Sequence, residues 1–340
     1  MKKLLKFVLL LNVCAVLSPM LTVGLTAEAP VEVFEPEAVI SENTLALSQQ
    51  PSYDESTVVR LCVGATVREL PLKDYLAGVL AAEMPAGFPE EALKAQAVAA
   101  RTYTLYKIAL YSGQGEPPAQ HQGGDLCDDP GHCEAFVDMT VQAASLWGDS
   151  ADIYRQRLEA AVTETDGMIL VYEEQPIAAV FCAASTEKTE RAADVWGSDL
   201  PYLQSVDSPG GSDCSRYEGI VTVKQTDFRD AILAIAPEAD FSGAPGSWFR
   251  DSHRSEAGSV IDVLVGEVRL TGSQVRQAAG LNSANFKVKV EGENLVFTTL
   301  GYGHGVGLSQ YGARYLAMDG QTYDEILAHY YPGTQLRLEG

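Results

Sequence analysis

The first residue in this chain that invites chemistry is a glutamate on an apolar stripe. Leu72, Leu76, Val79 and Leu80 recur at helical spacing, and the next turn lands on Glu83, four residues after Val79 and three after Leu80. Apolar surroundings raise the pKa of such a carboxyl, and neighbouring cations lower it. Lys94 and Arg101, seven residues apart on the following segment, share a helix face and can both point at whatever lies beside Glu83. That balance predicts a proton donor poised near neutrality. The rival reading is a plain ion pair of Glu83 with Lys94 or Arg101.

A second group lies between Gly113 and Asp138, a loop-like insertion of Gly, Pro and Gln that carries His121, Cys127, His132 and Cys133. Cys-x5-Cys with a histidine six residues upstream is a loose metal-binding spacing. Two rivals stand: a disulfide between Cys127 and Cys133, and His132 in place of His121 as the nitrogen ligand. Cys182 and Cys214 form a further pair that an oxidising compartment would allow to join. The string Gly301-Tyr-Gly-His-Gly-Val-Gly307 is not a nucleotide loop, because no acidic residue follows about twenty positions on in a βαβ unit. Its glycines let the backbone fold tightly under a ligand and expose His304, with Gln310 and Tyr311 on the helix that follows; a purely structural turn is the alternative.

The elements that must position these residues are legible in outline. Val58–Val63 reads as a strand with Thr66–Leu70 as its hairpin partner around Gly64-Ala65. The helix from Leu72 breaks at Met84-Pro85-Ala86-Gly87, and Pro89 with Glu90 and Glu91 opens a second, alanine-rich helix that another backbone can approach closely. Residues 220–286 read as a strand, a helix near Asp227–Ile235, a Gly/Ser/Pro loop to about Gly258, a hairpin from Val260 to Leu270 and a short helix from Thr271 to Ala279. Thr322-Tyr-Asp-Glu325 is a capping box that opens a last helix.

Of the 340 residues, 46% are hydrophobic and 21% charged, a globular composition. With 46 acidic against 24 basic residues the formal charge is −22, which disfavours nucleic acid as a partner. Lys2, Lys3 and Lys6 precede an uncharged apolar run from Phe7 to Leu25, so residues 1–25 read as a signal peptide or membrane anchor with an extracytoplasmic domain behind it. Ala27-Glu28-Ala29 has the form of a cleavage site, but Pro30 would follow the cut, and the reading leans to an uncleaved anchor. Residues 26–57 read as an acidic tether, and the globular part as 58–340.

The stretch from Glu83-Met-Pro-Ala-Gly-Phe-Pro to Ala-Ala-Arg-Thr-Tyr103, the run Gly303-His-Gly-Val-Gly-Leu-Ser-Gln-Tyr-Gly-Ala313 and His329-Tyr-Tyr-Pro-Gly-Thr334 resemble the stage II sporulation protein D family, also called the amidase-enhancer family. The resemblance runs from about Val58 to Gly340. It implies an α+β fold with a helical catalytic core packed on mostly antiparallel strands and a loop-rich zinc-binding insertion. It also implies a membrane-anchored lytic transglycosylase acting on peptidoglycan glycan strands stripped of stem peptides, in a complex with stage II sporulation proteins P and M. Glu83 matches the family's catalytic acid, and His121, Cys127 and Cys133 match zinc ligands, which leaves a fourth position open for water or for Glu83. A zinc hydrolase with Glu83 as base, and a non-catalytic glycan-binding enhancer of an amidase, are the competing functions.

One carboxylate suffices for the transglycosylase reaction. The C6 hydroxyl of muramic acid attacks C1 of its own ring, so a single group protonates the leaving oxygen and then takes the C6 proton. The lactyl carboxylate of such a strand needs local positive charge, expected from Lys94, Arg101 and Lys188, with His304, Gln310 and Tyr311 as further substrate contacts. The chain departs from the family at Phe181-Cys-Ala-Ala-Ser-Thr-Glu-Lys188-Thr189, where a histidine and two glycines of the family pattern are missing.

Overall fold

The structure, a computed structural model, describes residues 52–113 and 118–339. The apolar N-terminal segment and most of the acidic tether lie outside the described residues. Among the described residues no helix is long and apolar enough to cross a membrane.

A single helical turn, α1 (Tyr53–Ser56), is capped by Ser52, whose side chain accepts from the Glu55 amide. The expected hairpin follows: β1 (Val58–Val63) and β2 (Thr66–Pro71) pair antiparallel from Val58↔Pro71 to Val63↔Thr66. Gly64 takes the turn at a φ of 60°, which a side chain would strain. Helix α2 (Leu72–Glu83) buries Leu72, Leu76, Val79 and Leu80, and it ends where Met84 turns extended ahead of Pro85. Helix α3 (Glu90–Gly113) starts on two glutamates at its positive end, and Ala92, Ala95, Ala97, Ala99 and Ala100 are fully buried.

A short strand, β3 (Leu126–Cys127), adds parallel to β1. Then come α4 (Met139–Trp147), α5 (Ala151–Glu164), β4 (Met168–Tyr172), β5 (Gln175–Pro176), β6 (Phe181–Cys182) and α6 (Ala192–Trp196). From Glu218 to Leu300 the chain builds a second core: β7 (Glu218–Lys224), α7 (Gln225–Ile235), β8 (Phe249–Arg254), β9 (Val260–Val265), β10 (Val268–Thr271), α8 (Gly272–Ala279), β11 (Phe286–Glu291) and β12 (Asn294–Leu300). Phe228, Ile232, Val265, Val275 and Phe297 pack at its centre. The loop expected before Gly258 contains β8, paired to β9 by Phe249↔Val265 and Arg250↔Leu264. After Phe249 every residue of β8 is exposed, so it carries no apolar alternation to betray it.

The chain returns to the first core through β13 (Leu308–Ser309), parallel to β6, and then α9 (Gln310–Met318), α10 (Tyr323–Tyr330) and β14 (Gln335–Leu338), antiparallel to β4. The result is an α+β fold of helices with several mostly antiparallel sheets. Helix α3 is its axis, touching α2, α5, α9, α10 and β4. Small side chains make that possible, since five buried alanines leave room for backbones on several sides.

Two expectations fail on this helix. Arg101 is fully buried, and its guanidinium grips Asp54 twice, with Nε–Oδ1 at 2.9 Å and Nη2–Oδ2 at 2.6 Å. It also donates to the Val162 and Met168 carbonyls, both at 3.1 Å, and so ties α1 to the end of α5 and the start of β4. Lys94 pairs with Glu164 at 2.7 Å and with Glu91 at 3.1 Å. Both cations are committed inside the helical layer, because a seven-residue step fixes a shared face and says nothing about which partner meets it. Arg101→Ala should therefore cost about 3–5 kcal/mol by stranding a buried Asp54 charge. Denaturant unfolding measures it, and unchanged stability alongside weaker glycan binding would restore the substrate role.

Candidate active site and metal cluster

Glu83 sits on the last turn of α2 with part of its surface open to solvent. Its Oε1 accepts the Ala135 amide at 3.2 Å. Desolvation pushes its pKa up to about 7, and the Ala135 amide and the Gln310 side chain beside the carboxyl offset only part of that rise. No cation takes part, contrary to the balance expected from Lys94 and Arg101. The Nε2 of Gln310 is buried and makes no hydrogen bond of ordinary length among the described residues, so the Glu83 carboxyl is the group on which it acts. The loop after Glu83 is clamped by Arg157, which donates to Ala86 O at 3.0 Å and Phe88 O at 2.7 Å. Phe88 meets the Tyr311 ring edge-on, centroids 5.1 Å apart.

The Ala135 amide is delivered by a strap, residues 134–137, that crosses α2. Val137 N donates to Gly78 O at 3.1 Å, and Phe136 stacks on Tyr75. Gly78 is what lets the strap lie so close: a Cβ there would come within 2.3 Å of the Phe136 ring and 2.6 Å of Val137 O. Glu134, at the head of the strap, is sealed inside, accepting from Thr104 Oγ1 at 2.8 Å and Tyr75 Oη at 3.3 Å. Burial holds its carboxyl up at about 8.

Immediately before the strap is Cys133, one of four donors that could hold a metal ion: His121, Cys127, His132 and Cys133, all within 4.8 Å of one another. His121 Nε2 lies 3.1 Å from His132 Nδ1, Cys133 Sγ 3.3 Å from His121 Nε2, and Cys127 Sγ 3.4 Å from His132 Nδ1. Two rival spacings thus collapse into one cluster, since both histidines reach it. His132 is a fourth donor that the structure brings beside the three expected ones. Neither a Cys127–Cys133 nor a Cys182–Cys214 disulfide is formed; all four are free, buried thiols. The Cys127 and Cys133 thiols titrate together: the hydrogen bond between them lowers Cys127 and raises Cys133, so one thiolate is shared by the pair.

The remaining expected contacts lie elsewhere. Lys188 and His304 line a cleft with Glu190, Ser259 and Gly303 that Glu83 does not border. Lys188 is paired with Glu256. His304 Nδ1 accepts from Val306 N at 3.0 Å and its ring lies 5.1 Å from that of Trp196; burial pushes its pKa down to about 4, so the ring is neutral at physiological pH. The residues that pattern reading missed are Glu134, Ala135 and Arg157. Ala135 acts through its backbone, which leaves no side-chain signal.

The family model described as stage II sporulation protein matches residues 64–172, which hold Glu83, the strap and all four metal donors. Stage II sporulation protein D of Bacillus subtilis (strain 168) is 36% identical over 271 residues, covering 80% of this chain and 76% of that protein. The chain belongs to the stage II sporulation protein D family. The Bacillus amyloliquefaciens protein of the same name is 34% identical over 290 residues, 84% of this chain and 81% of that one. An amidase enhancer of Bacillus subtilis (strain 168) is 29% identical over 309 residues, 77% of this chain and 40% of its own length.

For this member of the sporulation protein D family, Gly78→Ala discriminates the strap's role. Alanine gains up to about 1 kcal/mol of helix propensity, but overpacking against a backbone oxygen costs about 1–3 kcal/mol. Net destabilisation is expected, together with a lower Glu83 pKa by NMR titration as the strap lifts and water enters. A more stable protein with an unchanged pKa would show that the strap does not control the acid.

Proposed function

We propose that the chain is a peptidoglycan lytic transglycosylase in which Glu83 is the single general acid/base. The observation that carries this is a desolvated carboxyl near neutrality, next to a solvent face, on whose pKa no second carboxylate among the described residues acts. Glycosidases that use water or a covalent intermediate keep two working carboxyls about 5–9.5 Å apart across the sugar. Glu134 is the acidic neighbour that feels the Glu83 charge, and it is locked under the strap by Tyr75 and Thr104. An intramolecular nucleophile, the muramic acid C6 hydroxyl, removes the need for it. Glu83, half-protonated near pH 7, donates to the glycosidic oxygen as the bond to C1 breaks. The resulting carboxylate then takes the C6 proton as the 1,6-anhydro ring closes, and the Gln310 side chain beside it favours that charged form.

Zinc is the metal we assign to the cluster. Bonds of about 2.0 Å to nitrogen and 2.3 Å to sulfur around a tetrahedral ion put ligand atoms roughly 3.3–3.8 Å apart, and the donors here are 3.1–3.4 Å apart in the contacts above. His121, Cys127, His132 and Cys133 would hold it as a Cys2His2 set, and zinc there would supply a cross-link that fixes the insertion. Cys133, Glu134 and Ala135 carry that restraint to Glu83. This weighs against the zinc-hydrolase reading, which needs an open ligand position. The chain's own placement is proposed to be extracytoplasmic, on an N-terminal anchor, with denuded glycan strands as substrate and stage II sporulation proteins P and M as partners. Septal wall remodelling during engulfment is the setting this implies.

The name of the amidase-enhancer relative supports a second reading, a glycan-binding protein that stimulates an amidase without cutting strands. Glu83→Gln separates the two. Release of anhydro-ended fragments from denuded strands, followed by mass spectrometry, should fall by about 10² or more while the fold is kept. In the native protein kcat/KM should decline as pH rises through about 7, because the protonated form is the active one. Absence of anhydro products from the native protein, with amidase stimulation intact in the variant, would decide for the second reading.

Metal content is checked independently by elemental analysis. About one zinc per chain is expected, lost in Cys127→Ser/Cys133→Ser together with cooperative unfolding at the native temperature. Equal zinc in the double variant would rule out the cluster.

A further inference from the structure

One face of α3 carries Thr104, Lys107 and Tyr111, all buried, at steps of three and four residues, so their side chains form a single stripe. Each holds a different group of the consecutive residues 132–134. Thr104 Oγ1 donates to Glu134 Oε2 at 2.8 Å, and Lys107 Nζ donates to the His132 carbonyl at 2.7 Å. Tyr111 takes the His132 ring itself. Its Oη lies 3.1 Å from His132 Nε2, and the two rings stack with centroids 5.7 Å apart and planes 11° apart.

The two histidines of the cluster face it by different nitrogens. His121 Nε2 and His132 Nδ1 lie 3.1 Å apart, the first 3.3 Å from Cys133 Sγ and the second 3.4 Å from Cys127 Sγ. The outward nitrogens are therefore His121 Nδ1 and His132 Nε2, and they are treated unequally. His121 Nδ1 is buried with no hydrogen-bond partner among the described residues, and Tyr111 meets that ring only at a near right angle, centroids 5.0 Å apart. His132 Nε2 has the Tyr111 hydroxyl. An imidazole that gives Nδ1 to a metal carries its proton on Nε2, so a fixed acceptor at that atom sets both the tautomer and the direction of the ring. Tyr111 is itself held, because the Lys107 ammonium lies over its ring, 4.8 Å from the centroid.

We infer that Tyr111 is a positioning residue for the metal cluster: it accepts the Nε2 proton of His132, presents Nδ1 to zinc, and makes His132 the better anchored of the two histidine ligands. The ligand is thereby aligned by α3, the helix that also holds Glu134 through Thr104, so one rigid element sets both the cluster and the head of the strap. This role rests on the zinc reading proposed above.

The test reads zinc affinity in the full-length chain, by competition with a chromophoric chelator. Tyr111→Phe keeps the ring and removes the acceptor, and it should weaken zinc binding about tenfold or more. In a His132→Ala background the same substitution should change the affinity less than about twofold, because the group through which Tyr111 acts is gone. A spectroscopic reading accompanies it: NMR of the zinc-loaded protein should show the His132 imidazole proton on Nε2, slow to exchange with water, and Tyr111→Phe should lose that protection. Circular dichroism confirms that the zinc-loaded variants fold. Unchanged affinity in Tyr111→Phe, an equal loss in both backgrounds, or a His132 proton found on Nδ1 overturns the role of Tyr111 and leaves the zinc reading standing. A parent protein that binds no zinc overturns both.

Discussion

The contact on which the site depends is one backbone amide, Ala135 N, held 3.2 Å from the Glu83 carboxyl by a strap that lies across α2. The strap does two opposing things. It withdraws Glu83 from water, which raises its pKa, and it offers one neutral hydrogen bond, which lowers it less. Desolvation wins because no cation is near. A lysine in hydrogen-bond range would reverse the outcome, since a full charge in a partly desolvated site outweighs a single amide dipole. The Glu83 carboxyl is held near neutrality because the chain keeps its own positive charges elsewhere.

The strap in turn depends on its two ends. At one end Cys133 belongs to a four-donor cluster, and at the other Val137 is bonded to Gly78. Between them one oxygen of the buried Glu134, Oε2, accepts from both Tyr75 and Thr104 and ties the strap to α2 and α3, while Oε1 has no hydrogen-bond partner among the described residues. The cluster thus acts on the acid at a distance, through three residues of backbone, and a loop of poor regular structure becomes a fixed part of the site.

The charge distribution divides labour in the same way. Arg101 and Lys94 hold helices together, Arg157 clamps the loop after Glu83, and Lys188 joins the first core to Glu256 of the second. An acidic protein spends most of its cations on such internal contacts. Four arginines have no carboxylate partner among the described residues: Arg157, Arg254 and Arg276 donate to backbone carbonyls, and Arg216 to Tyr302 Oη.

Much of this protein was legible in its sequence where the signal is local. The apolar stripe from Leu72, the break at Pro85, the acidic start at Glu90 and the capping box at Thr322 each depend on neighbours within a turn, and the elements appear where those patterns put them. Glu83 was legible for the same reason: its place on the stripe foretold desolvation. Partner choice was not legible. Lys94 and Arg101 share a face as their spacing requires, yet Arg101 meets Asp54 from 47 positions earlier in the chain and Lys94 meets Glu164. His121 and His132 looked like alternatives along the chain and are neighbours in space. Periodicity decides which way a side chain leaves its helix or strand, but only the packing of distant segments decides what charge or donor it meets there, and electrostatics depends on that meeting.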